Sequence, residues 1–256
     1  MKLIIGNTGL IGKTISEKIN FDYSFNSKNF SDFEKICKNG DEIFLSCLPA
    51  TKWLVNENIQ KDFENIHQII NSISKFYYSK ITLISTIDVY SDSPKSSDED
   101  YPVNFKNLNY GTNRFLFEIL VRQFVKTENL KIFRLPGLFN KNIKKNIIFD
   151  LLNDNNIHLI NPNSKFQWYS LDNLNDDINK LSYLYPNEKV FNLFTEPLET
   201  REIINLFPNY SNISFSENNY VEYNFKTKFS SNGYISDKIS VINQIKKFIK
   251  NEFIRK

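Results

Sequence analysis

The chain is poor in the residues that build metal and disulfide chemistry. Its 256 residues include two cysteines and two histidines. Cys37 and Cys47 lack Cys-x-x-Cys spacing, and His67 and His158 stand alone, so neither a disulfide framework nor a metal site is expected. Long apolar runs are missing too. None approaches the roughly 20 residues of a membrane span, and the opening "MKLIIGNTGLIG" breaks at Gly6 before a signal-peptide core can form. Nor is there an excess of one charge. The 32 basic and 29 acidic residues are interspersed and leave a net charge of +3, which gives no electrostatic footprint for nucleic acid or a membrane surface. These absences lead to the expectation of a soluble cytoplasmic protein. A hydrophobic content of 41% over this length suffices for one α/β domain with a small appended lobe. The abundance of Asn, Lys, Ile and Phe reads as coding bias rather than function.

Strand-like and helix-like runs alternate. "KLIIG" is an apolar run stopped by glycine, and in "LIGKTISEKI" the residues Leu10, Ile11, Ile15 and Ile19 recur at helical spacing. "DYSFN" reads as a second strand. "SDFEKICKNG" reads as a helix with a capping box at Ser31 and Glu34. "DEIFLSCLP" is a buried strand, Val55 to Phe76 one long helical segment, "KITLIST" a strand, Tyr110 to Lys126 a helix, and "LKIFRLP" a strand ended by Pro136. This order predicts a Rossmann-like, doubly wound parallel sheet with helices on both faces. Residues 1–140 are expected to form that dinucleotide-binding domain. Residues 141–256 are expected to form a small C-terminal substrate lobe with strands that complete the sheet. Here "KKNIIFDLLN", "LDNLNDDINKL" and "TREIINLF" read as helices, and "KFQWYS" and "VFNLF" as strands. A C-terminal helix is expected to bury a stripe of Ile239, Ile242, Ile245, Ile249 and Phe253.

Of seven glycines, three fall in "GNTGLIG". Gly6, Gly9 and Gly12 stand where the first strand meets the first helix, a place where a diphosphate can approach bare backbone N–H groups. The acidic residue that would hold an adenosine ribose 2′-hydroxyl at the end of the second strand is missing. Asp22 comes too early and Asp32 lies in the next helix. Asn26, Ser27 and Lys28 occupy the position instead, and these neutral or cationic groups suit a 2′-phosphate, which favours NADP over NAD.

With "GNTGLIG" first, "STIDVY" closing a middle strand, "YGTNR" some two dozen residues later and "RLPGLF" after the next strand, the chain resembles the extended short-chain dehydrogenase/reductases. In particular it resembles the NAD-dependent epimerase/dehydratase family of sugar-nucleotide enzymes. The resemblance covers about the first 140 residues. It implies an enzyme whose substrate is a nucleotide-activated sugar, a place in surface-polysaccharide biosynthesis, and a homodimer.

The resemblance also assigns roles. Tyr110 falls on the catalytic tyrosine and Thr86 on the Ser or Thr that bonds the substrate oxygen. Arg114 falls where the family has a lysine that binds the nicotinamide ribose and favours the tyrosinate. A phenol needs a nearby positive charge to exchange protons near neutrality, and arginine retains that charge in a planar fork. On this basis Arg114→Lys is expected to keep substantial activity. Further cofactor contacts are implied for Thr8, Leu10 and Ile11, for Leu48, Pro49 and Ala50, and for Ser85 and Pro136. The family's dehydratases place Asp and Glu directly after the Thr86 position. Here Ile87 and Asp88 follow, so a dehydratase is not expected, and Asp88 reads either as an acid/base or as a carboxylate capping a strand end.

The substrate-binding candidates are Lys145 and Asn146, with Lys144 beside them, and Gln167 and Trp168 with Tyr169. These aromatics read equally well as core. "YNFKTKFSSNGY" has no assigned mechanism. Two functions follow: an NADP(H)-dependent reductase or epimerase of a nucleotide-activated sugar, or a non-catalytic regulator that senses the dinucleotide, which the missing lysine favours.

Overall fold

Four short runs rich in β-branched and aromatic residues make the middle of a sheet, as their composition requires. They are β1 (Lys2–Ile5), β3 (Asp41–Leu45), β4 (Tyr78–Thr86) and β5 (Leu130–Leu135). β2 (Tyr23–Phe25) and β9 (Val190–Asn192) extend it to six parallel strands in the order β2-β1-β3-β4-β5-β9. The computed structural model describes residues 1–210 and 215–255. Among the described residues no helix is long and apolar enough to cross a membrane.

The chain forms two compact units that are not contiguous in sequence. The first comprises residues 1–94, 101–134 and 173–192. Its connecting helices are α1 (Leu10–Ser16), α2 (Phe33–Ile36), α3 (Lys52–Glu57), α4 (Ile59–Ile73), α5 (Tyr110–Phe124) and α7 (Leu174–Leu184). Ile5 pairs with Leu45, and Ile43 with Ile81, so alternate residues of neighbouring strands point to one face. On that face Leu3, Ile5, Ile43, Leu45, Ile81 and Leu83 cluster with Ile66, Ile69 and Ile73 of α4 and with Phe117 and Val121 of α5. Each of these buried side chains contributes about 1.5–3 kcal/mol. The other face is covered too, since Ile4 and Phe44 are also buried, and a sheet buried on both faces needs such continuous apolar strands. The chain leaves β1 for β2 and then crosses back to β3, which makes the carboxyl ends of β1 and β3 the switch point where open α/β sheets take their ligands.

The second unit comprises residues 95–100, 135–172 and 193–256. In it β6 (Gly137–Phe139) pairs in parallel with β8 (Trp168–Ser170), and β7 (Lys165–Phe166) pairs antiparallel with β10 (Leu198–Glu199). Among the described residues the α-helices that accompany them are α6 (Ile147–Asn153), α8 (Thr200–Ile204) and α9 (Lys238–Arg255). The segment "YNFKTKF" pins residues 95–100 into this unit. Ser96 N–H donates to Asn224, Thr227 Oγ1 to Glu99, and Lys228 Nζ lies 2.8 Å from Asp100 Oδ1.

Four sequence expectations are corrected. The Ser31–Glu34 capping box does not form, because Glu34 instead accepts from Ser72 Oγ and Lys75 Nζ on α4 and just beyond it. The helical segment from Val55 to Phe76 starts earlier and breaks at Asn58, whose side chain caps α4 by accepting from Lys61 N–H at 3.2 Å. The strand "KFQWYS" is interrupted at Gln167, which belongs to neither β7 nor β8. In α9 the buried residues are Val241, Ile245 and Ile249, while Ile239 and Phe253 are exposed. The stripe therefore lies on a neighbouring face, set by Val241.

Candidate active site

The glycine turn is built by close packing on one side and openness on the other. Gly6 has φ +100°, and a Cβ there would come inside 3.0 Å of the Ser46 backbone after β3. A Cβ at Gly12 would come equally close to the Gly6 carbonyl. Both positions thus require glycine for the strand, turn and helix to close up. Gly9 differs. A Cβ at this position would meet only the Gly6 carbonyl at 3.5 Å, so its bare backbone faces open space, with Thr8 exposed and Leu10 and Ile11 half-buried beside it. A diphosphate fits such a cradle, which a side chain would fill.

The end of β2 abuts this turn. Gly6 N–H donates to Phe25 O at 2.8 Å, and Asn26 Nδ2 donates to Asn7 Oδ1 at 3.3 Å. Asn26 Oδ1 in turn accepts from Lys28 N–H, which leaves Ser27 and Lys28 exposed on a closed loop. The two acidic residues of this region are engaged elsewhere. Asp22 accepts from Lys2 N–H at the opposite end of β1, and Asp32 pairs with Lys35.

At the end of β4 the remaining candidates come together. Gly111 packs so tightly on the turn after β4 that a Cβ would come inside 3.0 Å of the Asp88 carbonyl. This contact brings the start of α5, where Tyr110 lies, against the turn that carries Asp88, whose charge acts on the Tyr110 phenol. Thr86 Oγ1 accepts from Asp88 N–H at 3.2 Å and lies 3.3 Å from Asp88 Oδ2. Lys52 Nζ of α3 reaches the other carboxylate oxygen at 2.6 Å. Tyr110 N–H donates to Asn56 Oδ1 at 2.7 Å, so α3 fixes both sides of the site. Burial pushes the Tyr110 phenol above its ordinary value. Arg114 opposes that shift and Asp88 adds to it.

Arg114 has a partner that the sequence reading missed. Its guanidinium lies over the Tyr110 ring, with Cζ 4.3 Å from the ring centroid. It makes a two-pronged contact with Asp62 of α4, Nη1 to Oδ2 at 2.7 Å and Nη2 to Oδ1 at 3.0 Å. Nη2 also donates to the Pro49 carbonyl at 2.6 Å, and Asn113 Nδ2 donates to Asp62 Oδ2 at 2.8 Å. Both charged groups are buried. Burial works most strongly against the Arg114 charge, but the hydrogen bonds to Asp62, the charges of Tyr110 and Asp62 and a hydrogen bond to Tyr110 together outweigh it, so the guanidinium is held above its ordinary pKa. The signal for Asp62 was present in the sequence. Positions 62, 66, 69 and 73 share one face of α4, and three of them are buried isoleucines.

Beneath this lies a second buried pair. Glu118, one turn beyond Arg114, receives Nε and Nη2 of Arg134 at 3.0 and 2.7 Å, and Ser85 Oγ at 2.6 Å. Arg134 Nη1 donates to Tyr90 Oη, which also meets Asn192 Nδ2. Ser85, expected to meet the cofactor, thereby anchors α5 to β4. Leu48 is half-buried, Pro49 and Ala50 are exposed, and Pro136 is buried directly after β5.

In the second unit the substrate candidates separate. Lys144 and Lys145 are exposed. Asn146 has φ 120° and caps α6, its Oδ1 accepting from Phe149 N–H and its Nδ2 donating to Leu138 O. Gln167 and Trp168 are both buried, which for Trp168 is the core alternative and for Gln167 differs from the expected pocket wall. Gln167 is 1% exposed, its two amide donors go to Thr195 O and Phe225 O, and its oxygen accepts from Phe225 N–H. Trp168 is buried with Tyr169. A polar side chain in so apolar a run is required here because it satisfies the backbone of two passing segments.

The fold is Rossmann-like, a six-stranded parallel sheet with its glycine turn at the switch point. In solved structures the chain is similar to a dTDP-4-dehydrorhamnose reductase from Yersinia enterocolitica, at 13% identity and TM-score 0.72, covering 98% of this chain and 99% of that one. It is similar over its whole length to a UDP-glucuronic acid 4-epimerase from Bacillus cereus, solved with NAD and a fluorinated UDP-glucuronic acid, at 14% identity and TM-score 0.73, covering 100% of both chains. A dTDP-4-dehydrorhamnose reductase from Bacillus anthracis in complex with NADP gives 16% identity and TM-score 0.68, with 100% and 98% covered. No family model matches the chain, and no curated protein matches it in sequence.

Proposed function

We propose that the protein is an NADP(H)-dependent reductase or epimerase of a nucleotide-activated sugar. One observation supports this reading: the close approach of Gly111, next to Tyr110, to the carbonyl of Asp88, whose N–H bonds Thr86, in a fold shared with sugar-nucleotide reductases and epimerases. The glycine turn has the bare surface that a dinucleotide diphosphate needs, and Lys28 at the end of β2 carries the charge that a 2′-phosphate needs. When bound, the nicotinamide supplies the hydride. Tyr110 exchanges the proton with the sugar oxygen, Thr86 orients that oxygen, and Asp88 is the acid/base beside it.

A non-catalytic dinucleotide sensor is the second reading. It is favoured by the engagement of Arg114 with Asp62 in place of a lysine amine. Thermal shifts with NADPH, NADH and GDP-, UDP- and dTDP-linked sugars distinguish the two, because a ligand of the native state raises the melting temperature by mass action. The reductase reading expects NADPH to stabilise more than NADH, Lys28→Ala to erase the difference, and at least one sugar nucleotide to bind. Binding of NADPH with no sugar nucleotide leaves the sensor.

A further inference from the structure

The pair formed by Arg114 and Asp62 bears on the direction of proton transfer. A tyrosine next to an uncompensated cation can ionise near neutrality and then act as a base toward an alcohol. Among the described residues, the charged groups facing Tyr110 are compensated. From its own helix, Arg114 lies over the ring, but both prongs of its guanidinium are taken by Asp62 of α4, and Nη2 also holds the Pro49 carbonyl. From the turn after β4 comes the Asp88 carboxylate, itself paired with Lys52 of α3. The two cations and two carboxylates balance in number around a phenol that is 7% exposed, and although Arg114 acts on the phenol by its charge and by a hydrogen bond, burial with Asp88 and Asp62 outweighs it and keeps the phenol raised.

We infer that Asp62 is a positioning residue of this site, whose neutral pair with Arg114 keeps Tyr110 a proton donor and so commits the site to reducing a keto group rather than oxidising an alcohol. The inference rests on the function proposed above and deepens it. In a reduction a bound dihydronicotinamide would supply the hydride that forms the new C–H bond at the carbonyl carbon as the C=O π bond opens. The oxygen takes the Tyr110 proton, and the phenolate recovers a proton from solvent. The reverse direction needs Tyr110 already ionised. A 4-epimerisation begins with that alcohol oxidation, so it lacks its base at neutral pH. Burial and Asp88, which both raise the phenol, act in the same sense.

The test follows the tyrosine itself. In NADP-loaded protein carrying tyrosine labelled with carbon-13 at Cζ, the Tyr110 signal is assigned by its loss in Tyr110→Phe. It should show no ionisation up to about pH 10, the ordinary phenol value. Asp62→Asn leaves the Arg114 charge uncompensated and should lower the titration midpoint by about one pH unit or more. Alcohol oxidation at neutral pH should then rise about tenfold or more, because the phenolate population at a fixed pH grows about tenfold for every pH unit by which the midpoint falls. Asp62→Asn combined with Arg114→Gln removes both charges and should restore the high midpoint, which a merely structural role would not do. Ionisation of wild-type Tyr110 near neutrality overturns the inference, whether or not the variants fold, and so does an unmoved midpoint in Asp62→Asn. A Tyr110 that behaves as expected in a protein that turns over no sugar nucleotide upholds the role of Asp62 and sinks the proposed function instead.

Discussion

Lys52 and Asp88 meet across 36 residues of sequence, ammonium to carboxylate at 2.6 Å, with the lysine about half exposed and the carboxylate 13% exposed. So open an ion pair contributes little to folding, within about 1 kcal/mol, yet it orients the carboxylate that also touches Thr86. Lys52→Met should therefore change unfolding free energy by less than about 1 kcal/mol in urea titrations. Its turnover should fall at least about tenfold, part of the roughly 10²- to 10⁴-fold that a placed acid/base group contributes. Equal losses of stability and of rate would count against a role at the site.

Two glycines should respond in opposite ways to alanine. Gly111→Ala forces a methyl group onto the Asp88 carbonyl and should destabilise by about 1–3 kcal/mol, as overpacking does, with loss of activity. Gly9→Ala meets open space, so its melting temperature without cofactor should match wild type. Its stabilisation by NADPH should shrink, because the methyl group occupies the diphosphate's approach. Calorimetry with and without NADPH separates the two effects.

Charge alone would let Arg114→Lys retain activity. The two-pronged contact changes that expectation, since an ammonium is a point charge and cannot bridge both Asp62 oxygens and the Pro49 carbonyl in a plane. Arg114→Ala leaves Asp62 buried without its counter-charge and should cost about 3–5 kcal/mol. Arg114→Lys should fall between wild type and alanine in both melting temperature and rate.

Cys37 gives the chain an alkaline weakness. Burial pushes its thiol from 9.0 up to about 11, so the folded state holds a proton that the unfolded chain releases first. Stability from this source is complete below pH 9.0 and is lost as pH rises toward about 11, with a slope of up to about 1.4 kcal/mol per pH unit. Cys37→Ala should flatten that part of the stability curve, once the general alkaline trend of the variant is subtracted, in denaturant titrations across this range.

The first half of the fold was legible because its signals are local. Gly6 after "KLII" and Pro136 after "LKIFRL" end strands wherever they occur, and the helical register of Tyr110 and Arg114 needs no knowledge of the rest. What escaped depends on distant partners. Asp62 meets Arg114 only because α4 packs on α5, 52 positions away in sequence. Gln167 looked like a ligand-binding amide because a polar residue amid Phe166, Trp168 and Tyr169 has that appearance, and its partners lie 28 and 58 positions onward. Asn146 is a helix cap whose left-handed φ no pattern announced. In each case a side chain's role was set by which backbone happens to pass it.

The interleaving of the two units also bears on how the chain is made. The last strand of the six-stranded sheet, β9, ends at residue 192 of 256. A ribosome must deliver the chain through residue 192 before the sheet can be completed, and by then residues 135–172 of the other unit have already emerged. No single cut releases either unit whole. Expression of residues 1–140 alone would leave β5 as an open edge, a template for pairing with other chains, so the glycine turn and the Tyr110 site are best studied with both units present.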